Sequence, residues 1–186
     1  MCGRFFVEYD DAEIAKIIKE IKRKAKDLLV LDQSRKEIFP GMDTAVLTAG
    51  GAKLMNWGYP SRREDGSMLI NARSETVDKL PTFKEAFKYR RCLIPAHAYY
   101  EWQTSGKQKI KYEFNRPGRE LFYLGGIYSN DQRYAVITRA AIPAYHAIHS
   151  RMPVIIGAES AETWLFDFGF PFEHSVTELQ SRIIDH

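Results

Sequence analysis

The second residue, Cys2, brings an unusual pair of reactive groups to the start of the chain. Methionine aminopeptidases remove Met1 when the next side chain is small, so we expect the mature chain to begin at Cys2. An amino-terminal cysteine carries an α-amine with a pKa of about 8 and a thiol with a pKa of about 8.5 on adjacent carbons. The amine forms a Schiff base with an aldehyde, and the thiol then closes a five-membered thiazolidine ring. The pattern predicts capture of an aldehyde, although a cysteine with no special role is the plainer alternative.

Glu101 and His149 have side chains suited to general acid–base catalysis. Glu101 lies among aromatic residues in an apparent strand, where partial burial is expected to raise the pKa of its carboxyl group. An ion-paired strand glutamate is the alternative. His149 follows His146 by three residues, so it could instead be a surface histidine or half of a metal pair. The chain offers no Cys cluster and no HExxH motif to complete such a site, and we predict neither a metal nor another cofactor.

The elements that must position these groups are helices near the two ends and strands between them. Residues 10–30 show apolar positions at helical spacing, with Asp10 or Asp11 as the predicted N-cap. Strands over 44–48 and 53–59, joined through a glycine pair, indicate a hairpin. Shorter helices are predicted over 82–88, around 144–148 and from Ser160 onward.

The second half of the sequence indicates an antiparallel sheet, because turn-forming residues separate its apparent strands. These strands are predicted over 91–102, 109–115, 120–128, 134–138 and 152–156. Strands that follow one another, with helices near the ends, favour an α+β fold over an alternating one. We therefore predict a curved, largely antiparallel, barrel-like β-sheet flanked by a few helices.

Length and composition are those of one globular domain, which we expect to span residues 1–186. The sequence shows no apolar run long enough to cross a bilayer and no signal-peptide pattern, and two cysteines do not make a disulfide framework. These features predict a reducing cytoplasm and no membrane partner, and we separately expect a monomer. The net charge of +3 permits contact with nucleic acid without requiring it.

A series of short motifs resembles the SOS-response-associated peptidase (SRAP) family, in that family's order. They are MCGRF at the start, Pro40-Gly41, Trp57-Gly58, INARSET at 70–76, RRCLIPAHAYYEW at 90–102, VITRAA at 136–141 and HSRMPVII at 149–156. An ordered set of this kind is far more specific than any one motif. His97 stands where the family usually has a small residue, and we interpret it as structural or as a tuning substitution.

The resemblance implies a sensor of abasic sites that binds single-stranded DNA, often at a junction, and is nucleoid-associated when bound. Its amino-terminal cysteine joins the ring-opened sugar in a covalent DNA–protein crosslink that protects the damaged strand. By resemblance, Cys2 is the nucleophile, Asn71 positions it, Glu101 is the acid/base carboxylate and His149 is the histidine of the site. An abasic sugar is mostly a closed hemiacetal, so a carboxylic acid and an imidazole can shuttle the protons that opening and imine formation require.

The residues expected to contact DNA lie in the same motifs. Arg4, Arg73 and Arg151 match family positions that hold phosphates, and each is two residues from a proposed catalytic group. Aromatic stacking on bases is the other expected contact, with core packing as the alternative for at least one tryptophan. The full set of expected DNA-binding residues is Arg4, Pro40, Trp57, Arg73, Trp102, Thr138 and Arg151.

Two other functions remain open at this point. The first is a cysteine peptidase, self-processing or acting on other proteins, with Cys2 as the acyl-transfer nucleophile and His149 as its base. The second is a noncovalent DNA-binding module without chemistry, in which replacement of Cys2 would leave the affinity for the lesion intact. Formation of an adduct that depends on Cys2 distinguishes the leading hypothesis from both.

Overall fold

Strands make up most of the architecture of this computed structural model, which describes residues 2–24, 36–61, 66–167, 169, 172 and 175–184. The strands are β1 Arg4–Phe6, β2 Glu37–Ile38, β3 Asp43–Thr48, β4 Gly51–Trp57, β5 Tyr59–Pro60, β6 Met68–Leu69, β7 Asn71–Arg73, β8 Arg91–Ala96, β9 Ala98–Ser105, β10 Gln108–Asn115, β11 Phe122–Tyr128, β12 Arg133–Ala140, β13 Arg151–Pro153, β14 Ile155–Ile156 and β15 Gln180–Ile183. The helices are α1 Ala12–Lys24, α2 Lys84–Tyr89, α3 Pro143–His146 and α4 Ala161–Phe166.

Two sheets carry the described part of the chain, besides the small β5–β6 pair. The first has five strands in the order β15-β10-β9-β1-β2. The second has eight strands in the order β13-β12-β4-β3-β8-β11-β14, and β7 adds to β12. A further pairing between β11 and β12 curves this sheet into a partial ring. Pairing is antiparallel except where β12 meets β4 and β7, so the predicted α+β class with a curved, largely antiparallel sheet is confirmed.

Helix α1 packs an apolar face against the second sheet. Asp11 accepts hydrogen bonds from the backbone N–H groups of Glu13 and Ile14, at 2.8 and 3.0 Å, as an N-cap residue does. Ile14 and Ile17 are buried, and the helix contacts β3 and β4. The structure therefore confirms the predicted start and apolar face of this helix, while residues 25–30 of the predicted range lie outside the described residues.

His97 divides the segment that the sequence predicts as one strand over 91–102. The chain leaves the second sheet at Ala96 and enters the first at Ala98, so β8 and β9 belong to different sheets. The His97 ring is buried, its Nδ1 accepts the backbone N–H of Glu8 at 3.1 Å, and its Nε2 lies 3.6 Å from Asp11 Oδ2. These contacts agree with the structural interpretation of His97.

The remaining predicted elements are confirmed with small shifts. The hairpin is β3–β4, and the turn between its strands places Gly51 at a φ of +93°, a left-handed value that glycine adopts without steric cost. The predicted strand over 152–156 is two short strands, β13 and β14, which pair with β12 and β11 respectively. None of the helices described here is both long and apolar enough to cross a membrane.

Candidate active site and DNA-binding surface

The four residues predicted to act on a substrate come from four separate segments. Cys2 lies two residues before the start of β1, which pairs with β9 and thereby approaches the strand of Glu101. Asn71 begins β7, which runs parallel to β12 in the second sheet. His149 lies between α3 and β13. The junction of the two sheets is therefore the place where these segments meet.

Asn71 holds the backbone of Cys2. Its side-chain Nδ2 donates a hydrogen bond to the carbonyl oxygen of Cys2 at 3.0 Å. The other amide atom, Oδ1, is buried and accepts no hydrogen bond within the described part of the chain. A buried carbonyl-type oxygen without a donor costs free energy, and such atoms concentrate at functional sites. Asn71 thus holds the backbone of Cys2 and keeps one hydrogen-bond acceptor, its Oδ1, next to that contact.

The thiol of Cys2 is buried in the chain that retains Met1. The residue has 0% of its surface exposed and belongs to the main core cluster. Its Sγ contacts the carbonyl oxygen of Arg4 at 3.8 Å. Burial raises the pKa of the thiol far above its usual value, and the negative charge of Glu101 acts in the same direction. The thiol is therefore held in its protonated form.

Glu101 is buried beside His149. The residue is 3% exposed, and its Oε2 lies 3.9 Å from Nε2 of His149. Burial raises the pKa of its carboxyl group from 4.5 to about 7, with the positive charge of the amino terminus opposing this change. Near neutral pH the group is present in both the acid and the carboxylate form, which suits a residue that must give and accept protons.

His149 faces Glu101 as a neutral imidazole. Burial lowers the pKa of the ring below its usual value. Its Nδ1 accepts the backbone N–H of Arg151 at 3.0 Å, which favours the tautomer with the proton on Nε2, on the side of Glu101. A proton gained by the ring can be retained at Nδ1, because the carbonyl oxygen of Arg151 lies 3.1 Å away.

Gln103 connects the strand of Glu101 to the loop of His149, a link that the sequence did not indicate. It stands two positions after Glu101 on β9, so both side chains point to the same face. Its Nε2 donates to the carbonyl oxygen of Ala147 at 2.8 Å, and its Oε1 accepts the hydroxyl of Tyr112 at 3.1 Å. These hydrogen bonds fix the loop two residues before His149.

Arg151 is engaged by acceptors on two sides. Its Nη1 and Nη2 form a bidentate pair with Glu75, at 2.5 and 2.9 Å. Nη2 also donates to the carbonyl oxygen of Thr138 at 2.6 Å, with the Thr138 hydroxyl at 3.3 Å. Arg73 is exposed and lies opposite Thr138 in the β7–β12 register. The expected phosphate-binding residues Arg73 and Arg151 therefore lie close together, beside the loop of His149.

Arg4 and Trp102 form a second cationic and aromatic surface. Residues 101 and 102 are neighbours on β9, so Trp102 points to the face opposite to Glu101. The Arg4 guanidinium lies 5.0 Å from the Trp102 ring and 4.5 Å from the Phe39 ring. Pro40, the residue after Phe39, is partly exposed. Arg4, Pro40 and Trp102 can thus meet one ligand, but not from the face that carries Glu101.

Two expected DNA-binding residues have core positions instead. Trp57 is 0% exposed, its Nε1 donates to the carbonyl oxygen of Ile70 at 3.0 Å, and its ring stacks on Tyr134. This ring has no face for a base, so the expectation for Trp57 is corrected. Thr138 is also 0% exposed and uses its oxygens to hold Arg151. Its buried side chain has no surface for DNA and contacts Arg151 instead.

Lys111 and Glu37 complete the Arg4 surface and had no signal in the sequence. Lys111 lies opposite Trp102 in the β9–β10 register, and its Nζ is 2.9 Å from Glu37 Oε1. Glu37 is 33 residues from Arg4 and 74 from Lys111, and residues so far apart leave no local spacing pattern. Only the pairing of β2, β1, β9 and β10 brings them together.

Comparisons with known sequences identify the family to which the chain is similar. A family model described as SOS response associated peptidase (SRAP) matches residues 1–181. The abasic site processing protein YoqW of Bacillus subtilis is 29% identical over 192 residues, covering 89% of this chain and 80% of that protein. The abasic site processing protein YedK of Escherichia coli is 24% identical, covering 89% and 79%.

Solved structures share the fold. A protein from Bacteroides thetaiotaomicron superimposes with a TM-score of 0.76 at 20% identity, covering 99% of this chain and 92% of that one. A protein from Bordetella bronchiseptica gives a TM-score of 0.72 at 21% identity, with both chains covered in full. At such identities the likeness concerns the path of the backbone and not the chemistry.

Proposed function

The chain belongs to the SOS response associated peptidase (SRAP) family, and we propose that it captures abasic sites in single-stranded DNA through a thiazolidine on Cys2. The observation that carries this proposal is the meeting of Asn71, Glu101 and His149 at the start of the chain. The names of relatives in Bacillus subtilis, Escherichia coli and Xenopus tropicalis, all abasic site processing proteins, support the same substrate.

The reaction begins with removal of Met1, which frees the α-amine of Cys2. This amine attacks the aldehyde carbon of the ring-opened sugar, a nitrogen–carbon bond forms, and the carbonyl oxygen leaves as water. The thiol then adds its sulfur to the imine carbon, while its proton passes to the nitrogen. No oxidant or reductant is needed, and the five-membered ring is more durable than the imine.

Glu101 and His149 supply the proton transfers of this sequence. With a pKa of about 7, the Glu101 carboxyl group is partly protonated at neutral pH and donates to the sugar ring oxygen as the hemiacetal opens. The resulting carboxylate accepts a proton when the amine becomes an imine. His149, held neutral by burial, exchanges protons with Glu101 across the 3.9 Å that separates them.

Burial of Cys2 favours attack by the amine over attack by the thiol. The raised pKa of the thiol leaves very little thiolate at neutral pH, and a cysteine peptidase depends on that thiolate. The capture reaction needs the thiol only in its second step, when the aldehyde is already attached. This difference argues for aldehyde capture over a peptidase reaction in trans.

DNA is held at two surfaces in this proposal. Arg73 and Arg151 lie beside the His149 loop and bind phosphates next to the lesion. Arg4 and Trp102, on the other face of β9, bind a neighbouring nucleotide by charge and stacking. A single strand is flexible enough to pass around a sheet edge between these surfaces, whereas continuous duplex is stiff.

A denaturing gel tests the proposal directly. The Met1-processed protein, verified by intact-mass spectrometry, is mixed with an abasic single-stranded oligonucleotide, and a shifted band that survives denaturation is expected. Cys2→Ala and Cys2→Ser both retain a terminal amine and lack the thiol. Each is expected to give a band only when borohydride traps the imine. The absence of any band with the native protein overturns the proposal.

A further inference from the structure

Two of the three arginines predicted to bind phosphate, Arg4 and Arg151, are each paired with a carboxylate of the protein itself. Arg151 meets both carboxylate oxygens of Glu75 with both of its terminal nitrogens. This fork-to-fork geometry is the one in which arginine also binds phosphate. The Glu75 side chain is 49% exposed, whereas Arg151 is 15% exposed. The carboxylate therefore lies on the solvent side of the arginine, where a ligand would approach.

The Arg4 surface shows the same arrangement with two cations. Arg4 Nη1 and Lys111 Nζ both approach Oε1 of Glu37, at 3.4 and 2.9 Å. The Lys111 side chain is 7% exposed and also lies 4.1 Å from the centre of the Tyr100 ring. Two cations on one carboxylate leave an excess positive charge. An anion with more charge than a carboxylate is the ligand that such a cluster favours.

From these contacts we propose that Glu37 and Glu75 are built-in competitors of DNA phosphates, and that Lys111 is the second cation of the Arg4 phosphate site. Each glutamate satisfies its cations in the free protein and is displaced by a backbone phosphate when DNA binds. The inference rests on the proposed function, which gives single-stranded DNA as the ligand. It adds that the two glutamates limit the affinity for that ligand.

Binding of DNA replaces one ion pair by another. The free energy gained from the new contact is therefore only the difference between the two ion pairs. Arg151 keeps the pKa of Glu75 at about 2, chiefly through their hydrogen bonds, and the carboxylate remains charged at any physiological pH. A displaced glutamate also stays near the bound phosphate and repels it. Both effects weaken binding to undamaged strands, while an abasic site adds a covalent bond that undamaged DNA does not offer.

Equilibrium binding to an undamaged single-stranded oligonucleotide isolates this effect, because no aldehyde is present. The variants are Glu37→Gln and Glu75→Gln, with Glu85→Gln, an exposed residue of α2, as the control for charge. Fluorescence anisotropy over a range of KCl concentrations gives both the affinity and its salt dependence. We expect each variant to bind about two- to fivefold more tightly at low salt. The slope of log K against log salt should steepen by about 0.7 for each cation released.

A second set of variants protects the test from a folding defect. Glu75→Asp retains the charge and is expected to show no gain in affinity. Lys111→Met, placed in the Glu37→Gln background, is expected to remove the gain of that variant. Binding by either Gln variant that is equal to or weaker than binding by Glu85→Gln overturns the inference. The wild-type gel with abasic DNA is independent of this result, so its failure overturns only the proposed function.

Discussion

Nε2 of His149 and Oε2 of Glu101 lie 3.9 Å apart, with 29% of the imidazole and 4% of the carboxylate side chain exposed. The contact joins a loop of one sheet to a strand of the other. Burial acts on both groups in the direction of neutrality, raising the pKa of Glu101 and lowering the pKa of His149. Transfer of a proton within the pair therefore creates no isolated charge.

The rate of adduct formation is expected to depend on pH through Glu101. The acid form of Glu101 is lost as the pH rises through about 7, whereas the free amine of Cys2 becomes available as the pH rises toward about 8. The rate in the native protein should therefore pass through a maximum between these values. Glu101→Gln should be about 100-fold slower and should lack the alkaline decline. Single-turnover gels across pH 5–9 measure this, and an alkaline decline retained in the variant contradicts it.

The stability of the protein should also respond to the ionisation of Glu101. Its pKa is raised by folding, from 4.5 to about 7, so the folded state binds the proton more tightly. The native protein consequently loses stability as the pH rises from 4.5 to 7, by about 3 kcal/mol, and no further above that range.

Glu101→Gln, which stays neutral, should match the native protein near pH 4.5 and exceed its free energy of unfolding at pH 8. Urea unfolding at the two pH values measures the difference. Glu85→Gln, an exposed replacement, is the control and should show no such gain. A Glu101→Gln protein that is no more stable than the native protein at pH 8 would refute the raised pKa.

Gln103 is expected to act as a positioning residue. Gln103→Ala removes the hydrogen bond to the Ala147 carbonyl and should reduce the rate of adduct formation about tenfold, because misplaced proton donors lose efficiency. Tyr112→Phe keeps that hydrogen bond and serves as the control. NMR titration of His149 provides a readout beyond activity, since a freed loop hydrates the ring and moves its pKa back toward the usual value. An unchanged titration in Gln103→Ala would show that the loop does not need this link.

Replacement of Trp102 and replacement of Trp57 should have different effects on DNA affinity and on stability. Trp102→Ala should weaken binding to an undamaged single strand by about 1–3 kcal/mol with little change in stability, because its ring is partly exposed. Trp57→Phe should leave that affinity unchanged and lower the free energy of unfolding by about 2 kcal/mol, through a small cavity and the lost hydrogen bond to Ile70. Anisotropy and urea unfolding on the same preparations measure both, and a loss of DNA affinity in Trp57→Phe would restore its role as a contact.

The sequence by itself predicted the α+β class, an N-cap at Asp10 or Asp11, the hairpin and most strand positions. These features depend on contacts between residues close together in the chain, and local periodicity and turn residues record such contacts. It also indicated that the chemistry begins at Cys2, because an amino-terminal cysteine has its two nucleophiles within a single residue. The break at His97 was missed, since an apolar alanine flanks His97 on each side and no Gly, Asn or Asp stands beside it.

Only the tertiary structure decided which predicted side chains face a ligand. It places Trp57 in the core and Trp102 near the surface, although both are tryptophans within family motifs. It also brings Glu37 to Lys111 and Glu75 to Arg151, across 74 and 76 residues. Strand pairing over such separations depends on the whole sheet and on its burial, which no local pattern of residues encodes. The burial of Glu101 and Cys2, and with it their proton chemistry, follows from the same long-range pairing.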